Sequence, residues 1–114
     1  MSNTMNNYID HYEERATFWE TRAREGHLAS DAEHAPDMAA HYRELAANTV
    51  RLNWAVELAT AAANETDFAK ARVLWNRAIA MINGFRELPV PATVFDQALG
   101  GALGTMFARV AGAL

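Results

Sequence analysis

From Met38 to Ala63, apolar or near-apolar residues recur at steps of four and three without a break: Met38, Tyr42, Leu45, Thr49, Leu52, Val56, Ala59 and Ala63. At 100° per residue a helix gathers such positions on one side, whereas a half-buried strand needs a period of two. The seam therefore predicts a helix of about seven turns. Its later half adds Val50, Trp54, Leu58 and Ala61 on the reverse side, so that half is expected to touch two neighbours.

The same spacing recurs on both sides of this segment. Met5, Ile9, Tyr12, Ala16, Trp19 and Ala23 form a first seam that ends near Gly26, a residue suited to a helix C-terminus. Phe68, Ala71, Trp75, Ala78, Ile82 and Phe85 form a third, widened by Leu74 and Met81. Thr66 or Asp67 is placed to accept hydrogen bonds from the free amides at its start. Leu88-Pro89-Val90-Pro91 is a rigid corner, because each proline lacks a donor and pushes its predecessor to extended geometry. Thr93 with Asp96 then gives a start resembling a capping box for a fourth helix. No segment alternates as a strand does.

The predicted fold is thus all-α, an antiparallel bundle of about four helices, with residues 1–114 forming one helical-bundle domain. Residues 1–7 are read as a loose N-terminus and residues 26–36 and 88–92 as connections. Pro36 and Asp37 suit the first turn of the second helix. The seams are expected to bury roughly two dozen side chains, at about 1.5–3 kcal/mol for each large one.

The fourth helix is unusual in having no charged stripe. Phe95, Leu99, Ala102, Leu103, Met106, Val110 and Leu114 share one side, and Gly100, Gly104, Ala108, Ala111 and Gly112 fall on the other. Glycine inside a helix costs about 1 kcal/mol relative to alanine. A compensating contact along Gly100, Gly104, Ala108 and Gly112 is therefore expected, either with the alanines of the second helix or with a second copy in a homodimer. Asp96, Gln97 and Arg109 interrupt the segment, so a membrane span is not expected.

Charge and composition close several doors. Fourteen acidic and ten basic side chains leave a net charge of −4, with the arginines scattered, so direct nucleic-acid binding is disfavoured. The absence of cysteine removes disulfides, thiol nucleophiles and thiolate metal sites, and fits a cytoplasmic setting. The N-terminal residues lack the basic-then-apolar order of a signal peptide. Ser2 and Ser30 are the only serines, and no phosphate loop or nucleophile elbow occurs. Catalysis is not expected, and no cofactor is called for.

Thr66 to Ala71 and Ile79 to Met81, with Trp75 and Ala78, resemble the second helix of a tetratricopeptide repeat, and Leu58 and Ala59 stand where its first helix has its Leu and small residue. The sequence departs from that pattern at Ala62 and Asn83. The likeness covers about a third of the chain, with no second copy where such arrays need about three. The resemblance implies a protein-binding role, and an ordinary helix hairpin is the preferred reading of the segment.

Two further groups of residues bear on function. His27, His34 and His41 lie seven apart with carboxylates between them, but in a loop that spacing has no meaning, and a solvated loop is preferred to a metal site. Phe18 lies about 100° off the first seam, beside His11 and Arg22, and has no obvious place in a core. Phe18, Arg22 and Trp54, with the acidic Glu13 and Glu14, are the partner-binding candidates, since aromatics and arginines dominate interface energy.

The leading expectation is a non-enzymatic protein-binding module, an adaptor or regulatory protein acting by occupancy. One alternative is a small inhibitor of the phage or mobile-element type, such as an anti-CRISPR protein, that blocks a nucleoprotein complex through an acidic patch of Asp10, Glu13, Glu14 and Glu20 with Asp31 and Glu33. A second alternative is a bundle that binds a metal or small ligand.

Overall fold

The computed structural model describes residues 4–26 and 29–113, with the backbone alone for residues 29–32, 106, 107 and 109–113. Among the described residues the chain is all-α: α1 (Thr4–Glu25), α2 (Ala29–Asn64), α3 (Phe68–Asn83) and α4 (Ala92–Ala113). It divides into two compact units, Met1–Val50 and Arg51–Leu114, with α2 contributing to both.

In the first unit α1 packs on the leading part of α2. Tyr12 and Glu20 of α1 meet Tyr42 and Arg43 of α2 across this pair. Every residue of the α1 seam is buried or half-buried, with Met5 and Ala16 fully enclosed. Tyr12 of α1 meets Tyr42 of α2 with ring centroids 6.3 Å apart. Thr49 of α2 is buried, and its hydroxyl donates to the carbonyl of Leu45 at 2.7 Å, which satisfies that polar group.

The second unit comprises the end of α2 with α3 and α4. Its core is built on alanine: Ala59 and Ala63 of α2, Ala78 of α3 and Ala102 of α4, with Leu58, Trp75 and Leu99 packed around them. Small side chains at the contact let helix axes approach closely. Arg51 lies over the Phe85 ring at 5.5 Å and holds the segment after α3 against α2.

Several boundaries differ from those read in the sequence. α1 already begins at Thr4, so Thr4–Asn7 are helical rather than loose, because Met5 is drawn into the core. The expected connection over residues 26–36 is shorter, since α2 starts at Ala29 and carries Pro36 in its interior. Ala35 and Ala39 are buried and extend the seam backwards, which offsets the donor that proline removes.

α3 ends at Asn83, where the amides of Gly84 and Phe85 turn back to the carbonyls of Met81 and Ile82, both at 3.2 Å. Phe85 therefore packs from outside the helix. The connection spans residues 84–91 instead of 88–92, and it is the Pro91 carbonyl that starts α4, accepting from the amides of Val94 at 3.0 Å and Phe95 at 3.3 Å. Thr93 lies inside the first turn and is not the cap.

Burial corrects the energetic expectation as well. Most of the enclosed apolar side chains among the described residues are alanines, and the largest fully buried ones are Met5, Leu52 and Thr49. Each alanine removes little surface from water, so this core stabilises less per residue than one of leucine and phenylalanine. Phe68, assigned to the α3 seam by its spacing, is 73% exposed. The later half of α2 does touch two neighbours, α3 and α4, but through Leu58, Ala59 and Ala63, whereas Val50, Trp54 and Ala61 are exposed.

Candidate functional site

The side of α1 that carries Phe18 is built from residues one helical turn apart. Arg15 precedes Phe18 by three positions and Arg22 follows it by four, the spacings that bring helix side chains together. The Arg15 guanidinium sits 5.0 Å from the Phe18 ring centroid and that of Arg22 5.7 Å from it. The ring edge meets Trp19 at 5.3 Å and 84°. Phe18 nevertheless remains 43% exposed. A bulky aromatic is thus held in place at the surface by two cation–π contacts, each worth about 0.5–1 kcal/mol in an exposed setting.

Arg15 ties this arrangement to α2. Its guanidinium also lies 5.7 Å from the Tyr42 ring centroid. Tyr42 in turn packs on Tyr12, whose phenol is pushed above its ordinary pKa, first by burial and then by the neighbouring Tyr8 and Tyr42. The Nε1–H of Trp19 is buried and has no hydrogen-bond partner among the described residues.

Glu13 and Glu14 line a groove together with Asp10, Thr17 and Arg43, with a volume of about 510 Å³. Arg43 of α2 reaches into it and donates from Nε to Glu20 Oε1 at 2.7 Å. That hydrogen bond, more than the arginine's charge, holds the Glu20 carboxyl below the ordinary glutamate range. Glu20 is therefore neutralised within the chain, and the acidic groove is narrower than the patch read from the sequence. Glu33 is exposed, and the Asp31 side chain lies outside the described residues.

The sequence-predicted site residues thus fall into groups. Phe18 and Arg22 touch, and Glu13 and Glu14 share the neighbouring groove, all on α1. Trp54 belongs to the second unit, where it is 56% exposed. Arg15 was missed as a site residue, although an arginine three positions before an off-seam aromatic is a readable signal.

The alanines of α2 do not close over Gly100 or Gly104 of α4. A Cβ placed at Gly100 or Gly104 meets nothing within 4 Å, and Ala108 is exposed, whereas the surroundings of Gly112 lie outside the described residues. Of the histidines, His34 and His41 are exposed on one continuous helix, and seven residues put them about 10 Å apart along its axis. His27 lies outside the described residues, among which no three His, Cys, Asp or Glu side chains come together as a metal site would require. No described helix is long and apolar enough to cross a membrane.

Comparison with known proteins adds no assignment: no family model, curated protein or solved structure matches the chain.

Proposed function

We propose that this chain is a non-enzymatic protein-binding module, an adaptor or regulatory protein that acts by occupying a partner's surface. The observation that carries this reading is the half-exposed Phe18 ring held between Arg15 and Arg22. An aromatic fixed in one position gives up little conformational freedom on binding, and flanking arginines supply the polar rim that interface anchors use. Glu13 and Glu14 in the adjoining groove add charges that select a partner's register. A cytoplasmic setting fits a chain with no cysteine to protect.

The direct test replaces Phe18 by a photoreactive phenylalanine analogue in living cells, with the same analogue at the exposed Glu57 as the control. A discrete protein adduct from position 18 and none from position 57 is the expected result. Equal adducts from both positions, or none from either, would overturn the reading.

A second reading is favoured by one observation, the gathering of Asp10, Glu13 and Glu14 in a single groove. Three carboxylates there suit a basic target, as an inhibitor that covers the nucleic-acid channel of a nucleoprotein complex requires. Under that reading the adduct is a nucleic-acid-binding protein, and its capture weakens steeply with added salt. The open Gly100 and Gly104 of α4, with the exposed Ala108, also support self-association through the expected Gly100, Gly104, Ala108 and Gly112 ridge, on which a second copy can pack closely.

A further inference from the structure

The outer side of α3, which no reading above uses, combines exposed apolar surface with cations along the helix, the carboxylates of Glu65 and Asp67 lying at its start. Val73 is 61% exposed, and the helix itself carries Lys70, Arg72 and Arg77 but no acidic residue. At 100° per residue, Ala69, Val73, Asn76 and Ala80 run along the middle of this side, with Arg72 on one flank and Lys70 and Arg77 on the other. A shallow apolar groove of about 430 Å³, lined by Ala69, Val73, Leu74, Lys70 and Glu65, opens beside Val73. Glu65 is occupied at the helix start, where its Oε1 accepts from the amide of Asp67 at 3.1 Å.

We infer that this side of α3 is a docking surface for an acidic amphipathic helix of a partner protein, distinct from the Phe18 face. Charge complementarity selects the occupant: cations on both flanks and small residues between them fit a helix that brings a leucine-type ridge edged by glutamate or aspartate. A lipid surface fits less well, because a helix that lies in a membrane needs large apolar residues along the middle of its face, and this one has Ala69, Asn76 and Ala80 there. Three cations on a chain of net charge −4 are too few to hold a phosphate backbone.

The test uses a labelled synthetic amphipathic peptide with leucines on one face and glutamates on its flanks, a scrambled peptide of the same composition, and vesicles of phosphatidylglycerol and phosphatidylcholine. The expected result is saturable binding of the amphipathic peptide, falling about tenfold or more with the charge-reversing pair Lys70→Glu and Arg77→Glu, and likewise with Val73→Asp. Phe18→Ala is expected to leave this binding unchanged, which separates it from the function proposed above. All these positions are exposed, and the variants are expected to keep their helix content, which circular dichroism checks. Equal binding of the scrambled peptide, no binding, wild-type affinity in both α3 variants, binding of vesicles without the peptide, or self-association abolished by Val73→Asp would each overturn the inference.

Discussion

At the scale of single residues, Phe18 shows how a side chain that breaks a pattern carries more information than those that keep it. The α1 seam accounts for Met5, Ile9, Tyr12, Ala16, Trp19 and Ala23, and each of them is buried or half-buried. Phe18 stands outside that seam, which was legible, whereas its clamp by Arg15 was not, because rotamers decide whether a guanidinium lies over a ring or extends into water. The pH response also belongs to this scale. Glu20 has a depressed folded pKa, so its stabilising effect is present above the unfolded value and is lost as pH falls through the folded one. Tyr12 is the opposite case: a raised folded pKa stabilises below the ordinary phenol value and is lost as pH rises through the folded one. Replacing Arg43 by Met is expected to return Glu20 to the ordinary glutamate range in an NMR titration, and Tyr12→Phe to flatten the alkaline limb of stability. An unmoved Glu20 titration in the Arg43 variant would show that the hydrogen bond does not control it.

At the scale of elements, periodicity located all four helices but misplaced several of their ends. Helix ends depend on a few hydrogen bonds that the sequence leaves ambiguous, and Pro36 is the clearest instance. Proline is favoured at a first turn, yet here burial of Ala35 and Ala39 draws the helix back to Ala29 and puts the ring in the interior. Pro36→Ala is accordingly expected to raise the unfolding free energy by about 1–3 kcal/mol in urea titrations. A neutral effect would mean that α2 starts at the proline. Asp67 is the reverse case, since a side chain suited to capping does cap. Its carboxylate accepts from the amides of Ala69 at 2.9 Å and Lys70 at 3.4 Å. Asp67→Ala is expected to cost about 1 kcal/mol, and Asp67→Asn clearly less, by the same titration. Phe68, one residue on, was misread because spacing alone cannot distinguish the first residue of a seam from one that overhangs it.

At the scale of the whole molecule, two compact units share one long helix, and the enclosed apolar side chains among the described residues are mostly alanine. Periodicity anticipated the all-α class but not the small size of the core residues, because a seam records which positions turn inward and not how completely each is covered. The glycines of α4 illustrate the limit. Their clustering was plain in the sequence, whereas the open space that Gly100 and Gly104 face depends on how the helices pack. Gly104→Leu is thus expected to keep its helicity, and any dimer seen for the native chain by light scattering is expected to fall to monomer. A mass unchanged from a native dimer would move the self-association surface elsewhere.

The function proposed for this scaffold requires that the Phe18 face serve binding and not folding. The most direct measurement is a paired capture from cells, with the native chain and Phe18→Ala as baits and their thermal unfolding recorded in parallel. The variant loses two exposed cation–π contacts, roughly 1–2 kcal/mol together, and with them the edge contact to Trp19 and the covered part of the ring, yet it is expected to remain folded while losing a protein that the native chain retains. Recovery of the same partner in equal yield by both baits, or collapse of the variant's fold, would contradict the account.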